Sequence, residues 1–174
     1  MSKFAKDFAS FYQQGRGDIF FFAREWLRFN GVDNWELSDQ QVELLQCVQD
    51  DLSAPLSEKK RRIAVKSGQG PGKTTVEVII GLWRAFLDVD ALCIVTAPTM
   101  VQLRDVWIAE ARRIMQRAHP VLQSMVEITN TKIVICGRKT WGIWTRSASK
   151  AENFQGYHAT YLTMIFDEAS GIDR

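Results

Sequence analysis

The sequence predicts an α/β domain on a largely parallel sheet, and three observations predict it. Short apolar runs at 63–66, 91–96 and 162–166 have strand character and alternate with helical-period segments at 74–87 and 99–117. A glycine-rich loop, 67–74, separates the first run from the first of those helices. The last run, Leu162-Thr163-Met164-Ile165-Phe166, ends on two carboxylates, Asp167 and Glu168.

Each element has its own signal. Residues 4–12 and 18–29 read as short aromatic-rich helices that pack onto the main domain, the second capped by Asp18 and stopped at Asn30-Gly31. Ser38 caps an amphipathic helix over 39–52, with Val42, Leu45, Val48 and Leu52 at three- and four-residue steps. A polar connector at 53–62 contains Pro55 and the basic run Lys59-Lys60-Arg61-Arg62. In the helix over 99–117, Val101, Val106, Ile108 and Ile114 are among the apolar members. Residues 126–129 and 132–136 read as paired strands around Asn130-Thr131, with a further strand at 140–145. Two units follow: an N-terminal helical extension, 1–58, and a core, 59–174.

Composition bounds the class. The 174 residues suit one globular domain, with 46% hydrophobic and 24% charged side chains. Net charge is +2, but residues 59–150 carry sixteen Lys/Arg against six Asp/Glu, whereas 1–58 carry five against ten. A basic middle between acidic ends suits a polyanion, or is an unevenly charged solvated surface. The three cysteines (Cys47, Cys93, Cys136) are widely spaced, with no Cys-x-x-Cys and no histidine at zinc-ligand spacing, which fits a reducing compartment. Residues 1–17 mix charges with aromatics, unlike a leader, and no apolar stretch reaches bilayer length.

The loop Ser67-Gly68-Gln69-Gly70-Pro71-Gly72-Lys73-Thr74 fits the phosphate-loop pattern, with Ser67 where Gly is usual. Glycines let backbone N–H groups converge on one anion, and the next helix adds its positive end. Lys73 places a point charge on the β- and γ-phosphates of ATP, and the Thr74 hydroxyl suits Mg2+. Thr75 completes the nucleotide-facing set. Asp167, at a strand tip, is the second candidate for the ion, through water. Glu168 is the candidate base for the attacking water. Two motifs in this order favour hydrolysis over binding alone.

Further residues carry a family resemblance. Ile94-Val95-Thr96-Ala97-Pro98-Thr99 with Gln102 resembles the segment after the second strand in large terminase subunits of tailed bacteriophages. Residues 151–159 (AENFQGYHA) with Ile165-Phe166-Asp167-Glu168-Ala169-Ser170-Gly171 resemble that family's approach to its acidic motif. Trp35 with Gln41-Val42-Glu43-Leu44-Leu45 resembles its adenine-recognition segment, where Gln41 rather than Gln40 matches the spacing.

The resemblance spans about residues 20–172. It implies a RecA-like P-loop NTPase core that uses ATP and Mg2+ to drive double-stranded DNA into a capsid. It also implies a homo-oligomeric ring at the capsid portal, a small terminase subunit that chooses the DNA, and a setting in the bacterial host cytoplasm without membrane attachment. A helicase-like nucleic-acid-dependent ATPase and a catalytically impaired prophage remnant are the alternatives.

There are two departures from the family pattern. Many relatives carry an Arg inside the phosphate loop, where positions 68–71 here are Gly, Gln, Gly and Pro. The catalytic positive charge then falls to Arg146, with Arg104, Arg138 or a neighbouring subunit as alternatives. The chain also stops six residues past Glu168, so the core is expected to be incomplete at its C-terminal end, without the family's next strand, coupling motif and nuclease domain.

Overall fold

The computed structural model describes residues 12–55, 63–65, 72–147 and 159–168, with Ala9 and Ser57. Most of the expected helix at 4–12, the basic run 59–62, Ser67 to Pro71 and the 151–158 segment lie outside the described residues.

Residues 12–17 are helical. Helix α1 (Ile19–Phe21) runs on as a π-helical turn, Phe22–Trp26. Asp18 caps it by accepting from the N–H groups of Phe20 and Phe21, as the sequence predicts. Helix α2 (Asp39–Ser53) starts at a capping box in which Ser38 and Gln41 satisfy each other's backbone donors. Leu45 and Val48 are buried, while Val42 is exposed.

Helix α3 (Lys73–Leu87) follows the glycine-rich loop. Its apolar residues Val76, Val78, Ile79, Leu82, Trp83 and Phe86 are buried. Each large one contributes roughly 1.5–3 kcal/mol by leaving water. Strand β1 (Leu92–Ala97) is buried along its whole length. A long helix α4 then runs Met100–Gln102, through a π-helical turn Leu103–Ile108, into Ala109–Arg117. Of its apolar residues, Leu103, Trp107, Ile108 and Ile114 are buried, whereas Val101 and Val106 are exposed.

Helix α5 (Pro120–Met125) is an addition to the expected elements. Its signal is local: Pro120 at the first turn, behind His119, whose Nδ1 accepts from the Val121 N–H. Strands β2 (Val126–Ile128), β3 (Lys132–Ile135), β4 (Arg138–Ser147) and β5 (Leu162–Phe166) complete the sheet.

The strand order is β2-β3-β4-β1-β5. β1 pairs in parallel with β4 and β5, while β2–β3 and β3–β4 are antiparallel. The sheet is therefore mixed around a parallel core, not largely parallel, because the 126–147 segment returns through short hairpins. The expected strand at 63–66 is also corrected. Ile63, Ala64 and Val65 are exposed and outside the sheet. Their apolar pattern is that of a strand, but pattern alone supplies no pairing partner.

One sheet face lies under α3. Gly81 brings the helix onto Ile143 of β4 and Ile165 of β5, where an added Cβ would lie 3.5 Å from both Cδ1 atoms. The Arg84 Nε donates to the Thr163 hydroxyl at 2.9 Å, which fixes α3 against β5. The N-terminal aromatics pack on the other side of α3: Phe22, Trp26, Phe86 and Trp141 are linked by ring-centroid distances of 5.1 to 6.2 Å. Among the described residues, no helix is long and apolar enough to cross a membrane.

Candidate functional site

Because β1, β4 and β5 are parallel, their carboxyl ends lie at one edge of the sheet. The Asp167 N–H donates to the Thr96 carbonyl at 2.8 Å, extending the β1–β5 ladder by one step. Glu168 then takes a left-handed conformation, with φ 53°. Alternation along β5 puts Asp167 on the Ile165 side, the face under α3.

There it meets Glu77. This residue lies one helical turn beyond Lys73, so both side chains share one stripe of α3. The Glu77 carboxyl is pushed up to about 8, first by burial and then by the Asp167 charge beside it, with Lys73 pulling the other way. Close contact between the two carboxyls adds to the rise. Asp167 is itself raised, by burial and then by the Glu168 charge, against Lys73 and the Glu77 hydrogen bond. Lys73, Glu77, Asp167 and Glu168 thus form one electrostatic group, drawn from a helix start and a strand tip far apart in sequence.

Gly72 closes the loop under tight constraint. Its φ is 120°, and a Cβ there would lie 2.6 Å from Gln41 Nε2. That Nε2 donates to the Gly72 carbonyl at 3.0 Å, while Gln41 Oε1 accepts from the Ser38 N–H at 2.9 Å. Both ends of the Gln41 amide are therefore occupied, one in the α2 capping box and the other on the Gly72 carbonyl. Trp35, from the same segment, stacks on Phe29 at 4.7 Å and carries the Arg113 guanidinium 4.3 Å from its ring centroid. The Thr75 hydroxyl donates to Glu110 at 2.6 Å, and Arg113 holds Glu110 from the other side.

The arginines fall elsewhere. Arg146 pairs in register with Thr96, so alternation places it on the sheet face away from α3 and the acids. It donates to the Thr145 carbonyl and lies 5.8 Å from the Trp144 ring centroid. Arg138 begins β4 at the opposite end of the sheet, roughly 25 Å along the strand from Arg146, and pairs with Asp90. Arg104 is exposed and pairs with Asp105. The structure thus sets Lys73 near Asp167, with Glu77 and Glu168 in the same group, and Gln41 against Gly72, but none of these arginines beside the acids. A cavity of about 390 Å³ opens elsewhere, beside Arg28, Asn30 and Arg117, and no motif residue lines it.

Two functional candidates lie outside the sequence motifs. Glu77 is a lone carboxylate in an apolar helix, and its spacing from Lys73 was the available signal. Gln102 stands out in the sequence only by its family likeness; its Nε2 donates to Glu168 Oε2 at 2.9 Å.

The donor set suits a hard cation with few protein ligands. No three acidic, His or Cys side chains among the described residues converge into a metal cage. Glu77 Oε2 is buried and has no hydrogen-bond partner. An orphaned carboxylate oxygen beside Asp167 fits the hydration shell of a magnesium ion, which keeps most of its waters.

Glu77 gives a pH prediction. Since its folded pKa lies near 8 against an ordinary 4.5, the folded chain holds a proton through this range that the unfolded chain releases. Stability should fall as pH rises from about 5 to about 8, and Glu77→Gln should flatten that fall. Urea unfolding at both ends of the window measures it; equal pH slopes for the two proteins would remove Glu77 as the cause.

No family model, curated protein or solved structure matches the chain.

Proposed function

We propose that this chain is the ATP-binding and ATP-hydrolysing segment of a DNA-packaging motor of the large-terminase type, on a RecA-like P-loop core. The observation that carries the proposal is the convergence of Lys73 with Asp167 and Glu168, which the sequence keeps more than ninety residues apart. A generic glycine-rich turn has no reason to set its lysine against the tip of a distant strand.

In this reading Lys73 binds the β- and γ-phosphates, and the first turn of α3 adds its backbone donors. Thr74 and, through water, Asp167 would hold magnesium, which would neutralise phosphate charge. Glu168 takes the proton of the attacking water. The new bond forms between that water's oxygen and the γ-phosphorus, and the bond to the bridging β–γ oxygen breaks, leaving ADP and phosphate. Glu77 lies behind Asp167 and sets its orientation. Gln41 anchors Gly72, and reading an adenine edge would require its amide to exchange that contact. The transition-state arginine would come from a neighbouring subunit of the ring or from outside the described residues.

Phosphate release from ATP with magnesium, with and without double-stranded DNA, tests the proposal. Turnover that depends on Lys73 supports it. Nucleotide-independent DNA binding with no turnover in either condition would contradict it.

A further inference from the structure

Gln102 lies outside the phosphate loop and the acidic pair, yet its side chain is fixed on three sides. Thr99 caps α4, and the Gln102 N–H donates to the Thr99 Oγ1 at 3.2 Å. In return, Gln102 Oε1 accepts from the Thr99 N–H at 3.2 Å and from its hydroxyl at 3.0 Å. With the oxygen end of the amide committed to the cap, the NH2 end must point away from it. It points at Glu168, sixty-six residues further along the chain.

The capping box accounts for the first three bonds. It does not account for the fourth, which crosses from the end of β1 to the end of β5. Two features place Glu168 to receive it: the Asp167 N–H bond to Thr96, and the left-handed turn at Glu168.

We propose that Gln102 is a positioning residue for Glu168: the Thr99 cap locks its amide so that Nε2 orients the carboxylate that accepts the proton of the attacking water. The inference rests on reading Glu168 as that base. Neutral amide donation directs one carboxylate oxygen while leaving the other, Oε1, open to water. It also couples α4 to the chemistry. Any shift of the α4 N-terminus, which follows β1 directly, would turn Glu168 without touching the nucleotide.

The test uses the full chain with two readouts. The first is the Gln102 side-chain amide signal in a nitrogen-15 spectrum, assigned by its loss in Gln102→Ala. It should move in Glu168→Ala; no movement overturns the contact. The second is steady-state ATP hydrolysis. Gln102→Ala should lower kcat about five- to tenfold with KM for ATP unchanged. Thr99→Val should act in the same direction, and the double variant should be no worse than Gln102→Ala alone, because both act through one amide.

A helix cap without a catalytic role would instead lower stability and leave kcat alone, which overturns the inference. Hydrolysis by the wild type that is lost in Glu168→Gln but unaffected in Gln102→Ala defeats the inference and leaves the proposed function standing. No hydrolysis by the wild type defeats both.

Discussion

Replacing Gly142 with alanine is expected to destabilise the fold by about 2–5 kcal/mol, a large share of the roughly 5–15 kcal/mol that holds a domain together. Gly142 sits in β4, between β3 and β1. Its φ is 141°, and a Cβ there would stand 2.0 Å from the Ile133 carbonyl oxygen. The obstructing atom is backbone, so no rotamer change relieves it. A non-glycine residue at this φ costs about 1–2 kcal/mol alone. Pushing β3 away adds an overpacking cost of about 1–3 kcal/mol and loosens the ladder beside the irregular pairing at Val134 and Ile135.

Gly137 is the internal control. It too has positive φ, 68°, but a Cβ added there would meet nothing within 4 Å. Gly137→Ala should therefore show the conformational cost without the clash, about 1 kcal/mol. Equal urea midpoints for the two variants would mean that the close approach at Gly142 carries no cost.

The second large effect belongs to Glu168. Glu168→Gln should reduce ATP hydrolysis by about 10² or more while nucleotide binding persists, because the amide keeps the shape but cannot take a proton. The residue is exposed at a strand tip, beside an acid aligned with Lys73, where its carboxylate can reach solvent. Its Oε2 can still accept a hydrogen bond from Gln102 after substitution if the new amide presents its oxygen, so the local geometry should survive. Phosphate release and nucleotide affinity, measured on the same preparation, separate the two effects. Loss of both together would assign Glu168 to binding or folding instead.

Much of the fold was legible, for reasons that differ by element. β1 and β5 were visible because apolar runs bounded by turn residues have few other uses at that length. α2 was visible through its period and the cap at Ser38, and α3 through its place after the glycine-rich loop. The π-helical turn in α4 was not, since pattern reading assumes an unbroken 3.6 period. The expected strand at 63–66 failed for a different reason: strand propensity says nothing about which neighbour is available to pair.

The site divides in the same way. Lys73, Thr74, Asp167 and Glu168 are motif residues, whose chemistry is tied to local spacing. Glu77 becomes meaningful only when β5 is laid against α3, which brings Asp167 to its carboxyl. Gln102 needs both the cap at Thr99 and the parallel pairing of β1 with β5. Arg146 entered as a positive charge to stand in for the loop arginine, and strand alternation puts it on the sheet face away from α3.

Calorimetric titration of the full chain with ATP and magnesium, run beside Lys73→Ala, tests the central claim most directly. The expected result is saturable binding by the wild type that weakens at least about tenfold when the lysine charge is removed. Absent binding by the wild type, or equal affinity in a folded Lys73→Ala chain, would contradict it.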